Sequence, residues 1–356
     1  MSSRNEKTIR ANNVIFTKRA KRGLKQYEMK TGIVVIGRNE GERLVACLGS
    51  LAIGQYPVVY VDSGSSDGSP ELARKLGVEV LLLDSSIPFS AARARNVGVE
   101  QIARDNPSIK YVQFLDGDCT LFNGWLETAA TALEGDEKLA AVFGHIEEVN
   151  PSKSIYNRLC ALEWQSPAGR IQTAGALGGN SMFNLKVFAE MGGFNPAVVA
   201  GEDAEFAARI LSANYQIEKL DRFMVRHDAN ITRFAQWWQR SVRSGHAIGQ
   251  RAHIHGDSIH TDCLRERRSV LIWGMAMPPL IAAGALLAPW IGAALGALYG
   301  VLALRIWRYR RRRGNSGREA ALYSAFTVLG KLPEALGLLR FWRNQLAGRY
   351  EIIEYK

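Results

Sequence analysis

The sequence Tyr-Val-Gln-Phe-Leu-Asp-Gly-Asp occupies residues 111–118. Its first five residues are mostly apolar and predict a buried strand, which ends in two acidic residues. In an extended chain, residues two positions apart lie on the same side, so Asp116 and Asp118 are expected to project together beyond the sheet edge. Such carboxylates suit Mg2+ or Mn2+ carrying a diphosphate. The alternative is an acidic pair that only caps a turn.

Short apolar runs alternate with amphipathic segments around this stretch. The runs lie at 33–36, 58–61, 78–83 and 111–115, and the amphipathic segments at 42–51, 70–76 and 90–104. This alternation predicts βαβ units in an α/β fold, with a mainly parallel sheet flanked by helices. Ligands of such sheets bind beyond the carboxyl ends of the strands. The polar loops at 37–40, 62–68 and 116–118 should meet there, which predicts a nucleotide site.

The loop at 62–68 reads Asp-Ser-Gly-Ser-Ser-Asp-Gly. It offers small residues, exposed amides and Asp62, a carboxylate able to accept hydrogen bonds from a ribose or a base. The Gly-x-Gly-x-x-Gly pattern does not follow the first predicted strand, and the sequence contains no Gly-Lys-Ser/Thr phosphate loop. Dinucleotide and P-loop chemistry are therefore disfavoured.

The order of these motifs resembles that of family-2 glycosyltransferases with the GT-A fold. The resemblance rests on Arg38-Asn39-Glu40, on 62–68, 92–98, 115–118 and 192–195, and on Gly201-Glu202-Asp203. It covers about residues 31–250. Two departures stand out: Ser63 replaces a frequent second acid of the nucleotide loop, and the Gln-x-x-Arg-Trp motif of processive synthases is absent.

The resemblance implies roles for individual residues. Asp203 would be the general base, with Glu202 as its rival, although an acid at a helix N-terminus is also favoured by the helix dipole. Asp116 and Asp118 would hold Mg2+ or Mn2+. Contacts with the nucleotide or donor would fall to Asn39, Glu40, Asp62, Arg95, Asn96 and Asp116. Candidate contacts with the acceptor or the donor sugar are Asn180, His227, Trp237, Trp238 and Arg240.

The chain has 356 residues and a formal net charge of +11, which is unevenly distributed. Residues 1–30 carry nine basic and two acidic side chains, and residues 265–356 carry fifteen and five. The predicted catalytic part between them has an acidic excess, which disfavours nucleic acid as a partner and favours an anionic lipid surface. Residues 1–30 are expected to be a basic tail and, without an apolar segment, not a secretory signal. The four cysteines show no disulfide framework, which fits a reducing cytoplasm.

Residues 269–304 contain no charged side chain. As one helix they would span about 54 Å, well beyond the roughly 30 Å of a bilayer core, so two passes turning near Pro289 are predicted. Basic residues flank both ends, which predicts that both ends lie in the cytoplasm. The alternative is a helical pair buried in a soluble core. A broken helix at about 319–343 is expected to lie in the membrane interface.

These observations predict an inverting glycosyltransferase domain at residues 31–262. A membrane-associated region, 263–356, would tether it to the cytoplasmic face of a cell inner membrane or plasma membrane. The expected partners are a nucleotide-sugar donor, a lipid-linked or polysaccharide acceptor with a free hydroxyl, and membrane lipids. Two alternatives stay open: a sugar-nucleotide nucleotidyltransferase, which should carry a Gly-rich, Arg-containing loop after its first strand, and a non-catalytic nucleotide-binding membrane scaffold.

Overall fold

The computed structural model describes residues 30–256 and 263–348, so the predicted basic tail lies outside the described residues except for Lys30. Nine strands form one sheet in the order β3-β2-β1-β4-β8-β6-β9-β5, and β7 pairs with β9. The strands are β1 Thr31–Gly37, β2 Val58–Asp62, β3 Glu79–Leu82, β4 Tyr111–Asp116, β5 Cys119–Leu121, β6 Leu139–Glu148, β7 Gly169–Arg170, β8 Ser181–Asn184 and β9 Gln216–His227.

Helices cover both faces of this sheet and continue beyond it. They are α1 Glu42–Gly49, α2 Ser69–Lys75, α3 Ala91–Asp105, α4 Trp125–Gly135, α5 Ile155–Glu163, α6 Leu185–Glu190, α7 Glu202–Ser212 and α8 Phe234–His255. The C-terminal region adds α9 Cys263–Val270, a π-helical segment Leu271–Ala276, α10 Met277–Leu287, α11 Pro289–Arg312, α12 Gly317–Leu329 and α13 Lys331–Ala347. The predicted α/β class is confirmed.

The first half of the sheet is parallel, as the alternation of strands and helices predicts. Strand β1 pairs with β2 and β4, and β2 pairs with β3. Ile33, Val34 and Val35 are fully buried because helices cover both faces of β1. The carboxyl ends of β1, β2 and β4 therefore lie at one edge, where the three polar loops meet.

The second half of the sheet is mixed, which departs from the mainly parallel prediction. Strand β8 runs antiparallel to both β4 and β6, and β9 runs parallel to β6 but antiparallel to β5 and β7. Strand β8 is antiparallel because the chain enters it from the edge that carries the polar loops. Five phenylalanines from β4, β8, α6, α7 and the loop between these two helices pack together next to the sheet: Phe114, Phe183, Phe188, Phe194 and Phe206.

The charge-free region forms the predicted hairpin. Two helices, Cys263–Leu287 and Pro289–Arg312, are long and apolar enough to cross a membrane. Ala288, with extended backbone, separates them. Leu286, Leu287 and Trp290 at the turn are 89, 81 and 72% exposed. The alternative of a helical pair buried in a soluble core does not agree with the structure, because the rest of the described chain leaves most of this hairpin exposed.

The predicted helix at 319–343 is two helices, α12 and α13, with the break at Gly330. One face of α13 packs on α8 so closely that a Cβ at Gly245 would lie 2.0 Å from the Glu334 carbonyl oxygen. The domain boundary placed after residue 262 is thus bridged by packing between α8 and α13. The opposite face of α13 is an exposed apolar stripe of Leu332, Leu336, Leu339, Trp342 and Leu346.

Candidate active site

A cavity of about 360 Å³ opens at the carboxyl ends of β1 and β4. Five predicted residues line it: Asn39, Glu40, Asp116, Asp118 and His227. Three arginines, Arg38, Arg43 and Arg243, line it as well. The cleft therefore combines acidic groups, an imidazole and guanidinium groups, a set that suits a cation together with an anionic ligand.

Asp116, at the end of β4, and Asp118, two residues later, have different protein partners. The Asp116 carboxylate accepts a hydrogen bond from Arg95 Nη2 at 2.7 Å. Asp118 Oδ2 instead lies 3.2 Å from Nε2 of His227, which ends β9. Ligand atoms of Asp118, Cys119 and His227 lie within 4.8 Å of one another. The structure thus groups Asp118 with His227, and cation binding by both carboxylates together stays a prediction.

Arg95 joins the two acidic motifs. Its Nη2 donates to Asp116, and its Nη1 donates to Glu202 Oε1 at the start of α7. The guanidinium is almost fully buried, and a Cβ at Gly179 would lie 2.3 Å from Nη2, so a side chain at this position would displace the guanidinium. Arg95 therefore lies behind the cleft, where it fixes the position of α7 relative to β4.

Glu202 and Asp203, the two acids at the start of α7, have different surroundings, because only Glu202 is hydrogen-bonded to Arg95. Glu202 is buried, and its carboxylate accepts a charge-assisted hydrogen bond from Arg95. Asp203 is only partly buried and accepts from the Ala204 amide at 2.7 Å. Burial, and then the neighbouring Glu202 carboxylate, raise the pKa of Asp203 from 3.8 to about 6. A carboxylate with such a pKa is suited to accept a proton near neutral pH.

Asp62 lies beneath the nucleotide loop, with 1% of its surface exposed. Its oxygens accept from the Tyr60 hydroxyl, the Gly64 and Ser65 amides and the Ser65 hydroxyl. These four bonds fill the acceptor positions of a carboxylate. Asp62 therefore builds the loop, while its neighbour Ser63 lines the cleft. Direct contact between Asp62 and a nucleotide stays a prediction that the geometry does not favour.

The remaining nucleotide-loop predictions fit the cleft. Asn39 has left-handed backbone, with φ of 56°, and its side-chain oxygen accepts from the Ser66 amide at 2.8 Å. Glu40 pairs with Arg43 at 2.8 Å on the cleft wall. Asn39 therefore joins the loop after β1 to the loop after β2. Glu40 forms part of the cleft wall together with Arg43.

Two predicted contact residues are engaged inside the protein instead. Asn96 bonds through both amide atoms to the Phe194 backbone and lines a separate groove of about 1110 Å³ at the amino end of β4. Asn180 is buried and accepts from the Asp116 amide at 2.9 Å. The direct ligand contacts predicted for these residues are not supported, because their polar atoms already hold backbone and side chains in place.

Three residues of helix α8 that were predicted to contact the acceptor or the donor sugar have other partners in the structure. Trp237 is buried against Phe326 of α12, Trp238 packs at the edge of the same aromatic cluster, and Arg240 pairs with Glu163 at 2.7 Å. These three residues therefore join α8 to its neighbours and do not line the cleft. Arg243, less than one helical turn further on, lines the cleft and was not predicted. The sequence pointed to Arg243 only through its position three residues after Arg240, on the same side of the helix.

The alternating sheet, the acid-bearing loop after β4 and the cleft at the strand ends define a GT-A type nucleotide-diphospho-sugar transferase domain. Residues 32–192 match the model for glycosyl transferase family 2, and residues 160–232 match a model described as the N-terminal domain of galactosyltransferase. Residues 32–192 therefore form a glycosyltransferase family 2 domain, and the resemblance seen in the motif order is confirmed.

Two similar proteins are named as glycosyltransferases. The chain is 27% identical over 199 residues to Glycosyltransferase AglE of Haloferax volcanii, a match that covers 52% of this chain and 62% of that protein. It is 25% identical over 289 residues to Pre-mycofactocin glycosyltransferase of Mycobacterium tuberculosis, covering 76% of this chain and 54% of that protein. The chain thus matches less than two thirds of the length of these relatives.

A solved structure shares the fold. Mannosyltransferase PcManGT from Pyrobaculum calidifontis, in complex with GDP-Man and Mn2+, superposes with a TM-score of 0.55 at 20% identity. The match covers 86% of this chain and 87% of that chain. At this identity, the likeness supports the GT-A fold.

Proposed function

We propose that this protein transfers a sugar from a nucleoside-diphosphate donor to an acceptor hydroxyl, with inversion at the anomeric carbon. The observation that carries the proposal is the bridge made by Arg95, which joins Asp116 at the end of β4 to Glu202 at the start of α7. This bridge holds the start of α7, which carries Asp203, next to the end of β4, so Asp203 and the donor cleft would form one site. The matches to glycosyltransferase relatives support the same activity.

Asp118 and His227 fit a divalent cation. A carboxylate oxygen and an imidazole nitrogen 3.2 Å apart, both at the cleft, are a donor set that Mn2+ accepts. When bound, the cation would neutralise charge on the diphosphate leaving group. Arg38, Arg43 and Arg243 line the same cavity and would add positive charge around the diphosphate.

Asp203 would take the proton from the acceptor hydroxyl as that oxygen attacks the anomeric carbon. Its raised pKa, about 6, leaves it ionised at neutral pH yet basic enough to accept a proton. Glu202 would stay bound to Arg95 and keep α7 in place. Because a single base acts on the acceptor and no enzyme nucleophile is needed, one direct displacement inverts the anomeric carbon.

The C-terminal region would place this site at a membrane. The exposed turn of the hairpin and the apolar stripe on α13 both suit lipid rather than water. Arg305, Arg308 and 310–313 follow the charge-free region, and Arg265, Arg267 and Arg268 precede it. Both ends of the hairpin, and the catalytic domain with them, would therefore lie on the cytoplasmic side. A lipid-linked or polysaccharide acceptor would suit this position.

The cation site is tested by calorimetry of nucleotide-sugar binding with and without Mn2+. Asp118→Ala should lose the Mn2+-dependent part of donor affinity, because the substitution removes one of the two cation ligands. Arg240→Gln is the matched control, since it removes a charge from α8 that faces Glu163 and not the cleft. Unchanged Mn2+-dependent affinity in Asp118→Ala would exclude the assignment. Release of pyrophosphate from a nucleoside triphosphate would favour a nucleotidyltransferase instead.

A further inference from the structure

The segment after α5 contacts the cation site from outside the cleft. The Trp164 ring stacks on the His227 imidazole with centroids 4.7 Å apart and planes 18° apart. The same imidazole also contacts Asp118, whose Oδ2 lies 3.2 Å from Nε2 of His227. A ring stacked on an imidazole restricts how that imidazole can turn. The position of Trp164 therefore influences where Nε2 lies relative to Asp118.

The next residue, Gln165, is held by the C-terminal end of the hairpin. Its side-chain oxygen accepts from Arg310 Nη2 at 3.0 Å and from Asn315 Nδ2 at 2.9 Å. Arg310 Nη2 also donates to the Leu162 carbonyl at 2.9 Å, on the other side of Trp164. The C-terminal end of the hairpin and the turn that follows it thus bind the chain two residues before and one residue after Trp164, whose ring stacks on His227.

The burial of Arg310 indicates that its hydrogen bonds to Leu162 and Gln165 serve to position Trp164. Arg310 is 2% exposed and lies over the Tyr323 ring at 4.3 Å. Its hydrogen bonds, among the described residues, go to a carbonyl oxygen and an amide oxygen rather than to a carboxylate. Burying a guanidinium with neutral partners gains little stability. The Arg158–Glu319 ion pair and the Trp237–Phe326 contact already hold the C-terminal region against the catalytic domain.

We propose that Arg310 and Asn315 are positioning residues for the cation site, acting through Gln165 and Trp164 on His227. The proposal rests on the cation site of the proposed function. It adds that the membrane hairpin sets the divalent-cation affinity of the catalytic domain. A displaced hairpin would let Trp164 and His227 move, and Asp118 would lose its partner ligand in the productive position.

The test measures Mn2+ binding to the full chain in lipid nanodiscs, from the electron paramagnetic resonance signal of free Mn2+. Gln165→Ala removes the acceptor of both hairpin donors at an exposed position, so the fold should persist. Gln165→Glu keeps that acceptor and should bind Mn2+ like the wild type. Arg158→Gln is the matched control, because it breaks the ion pair between α5 and Glu319 of α12 and leaves the hydrogen bonds of Gln165 intact.

Gln165→Ala should weaken Mn2+ binding by about 3- to 10-fold, less than the roughly 10- to 100-fold typical of groups that touch a metal ligand directly. Trp164→Leu, which removes the stacked ring, should fall in that larger range. Wild-type Mn2+ affinity in both variants, with binding lost in Asp118→Ala, would overturn the positioning role and leave the cation site standing. Wild-type Mn2+ binding in Asp118→Ala would instead overturn the cation site, and the positioning role with it.

Discussion

Replacing Asp203 with Asn should stabilise the fold and abolish transfer, because burial raises the pKa of Asp203 and the same pKa makes it a base. The pKa rises from 3.8 to about 6. A tenfold change in proton affinity corresponds to about 1.4 kcal/mol, so keeping Asp203 ionised would cost at most about 3 kcal/mol. Partial exposure reduces this cost, and we expect about 1 kcal/mol, or about 2–4 °C in melting temperature.

The pH dependence fixes the sign of this effect. Because the pKa is higher in the folded chain, protonated Asp203 favours folding. That contribution is fully present below pH 3.8 and is lost as the pH rises through about 6. Asn stays neutral throughout. The melting temperature of Asp203→Asn minus that of the wild type should therefore be larger above about pH 7 than at about pH 4.

The assay combines thermal unfolding, donor binding and single-turnover transfer on one preparation of the full chain. Transfer should fall by about 100- to 10,000-fold, while donor affinity stays near wild type, since the base acts only in the transition state. Asp221→Asn is the control, because Asp221 is an acid on β9 with a side chain that is 89% exposed. Transfer within a few-fold of wild type, or a melting difference that does not change with pH, would refute the reasoning and make Glu202 the next candidate.

Three further outcomes are expected. Arg243→Gln should weaken donor binding by roughly 10- to 100-fold, the loss of one charge-assisted hydrogen bond, whereas Arg240→Gln should leave it unchanged; equal affinities in calorimetry would remove Arg243 from the site. The kcat/KM of the wild type should decline below about pH 6 as Asp203 becomes protonated, and Glu202→Gln should move this decline to lower pH because one cause of the raised pKa is gone; an unmoved midpoint would count against Asp203. A cysteine replacing Ala288, at the turn of the hairpin, should react with a membrane-impermeant maleimide from outside intact cells, while one replacing Arg312 should react only after the cells are opened; the reverse pattern would contradict the predicted orientation.

Local patterns in the sequence were sufficient for much of the fold. The alternation of apolar runs with amphipathic segments predicted β1 to β4 and α1 to α3, because side-chain burial follows the period of each element. The absence of charge over 269–304 predicted the hairpin, since this property depends on composition and length alone. The order of short motifs was sufficient to identify the family, because each motif is a local sequence of a few residues.

The tertiary structure decided which of these residues meet. Asp118 and His227 are 109 residues apart in the sequence, and Arg95 and Glu202 are 107 apart. The sequence suggested neither pairing. The antiparallel pairing of β5 with β9 brings the first together, and the position of the start of α7 next to α3, which carries Arg95, brings the second together. Asp62, Asn96 and Asn180 were predicted as ligand contacts, but folding surrounds their polar atoms with protein partners.

For the two arginines of α8, too, the sequence does not tell which one faces the cleft. Arg240 and Arg243 lie on one helix and have the same chemistry, yet one pairs with Glu163 and the other lines the cleft. Helix periodicity gives their relative direction but not the direction of the cleft, which depends on how α8 packs between the catalytic domain and α13. The sequence by itself therefore determined the elements, the family and the hairpin, while the packing of distant elements decided which side chains form the site.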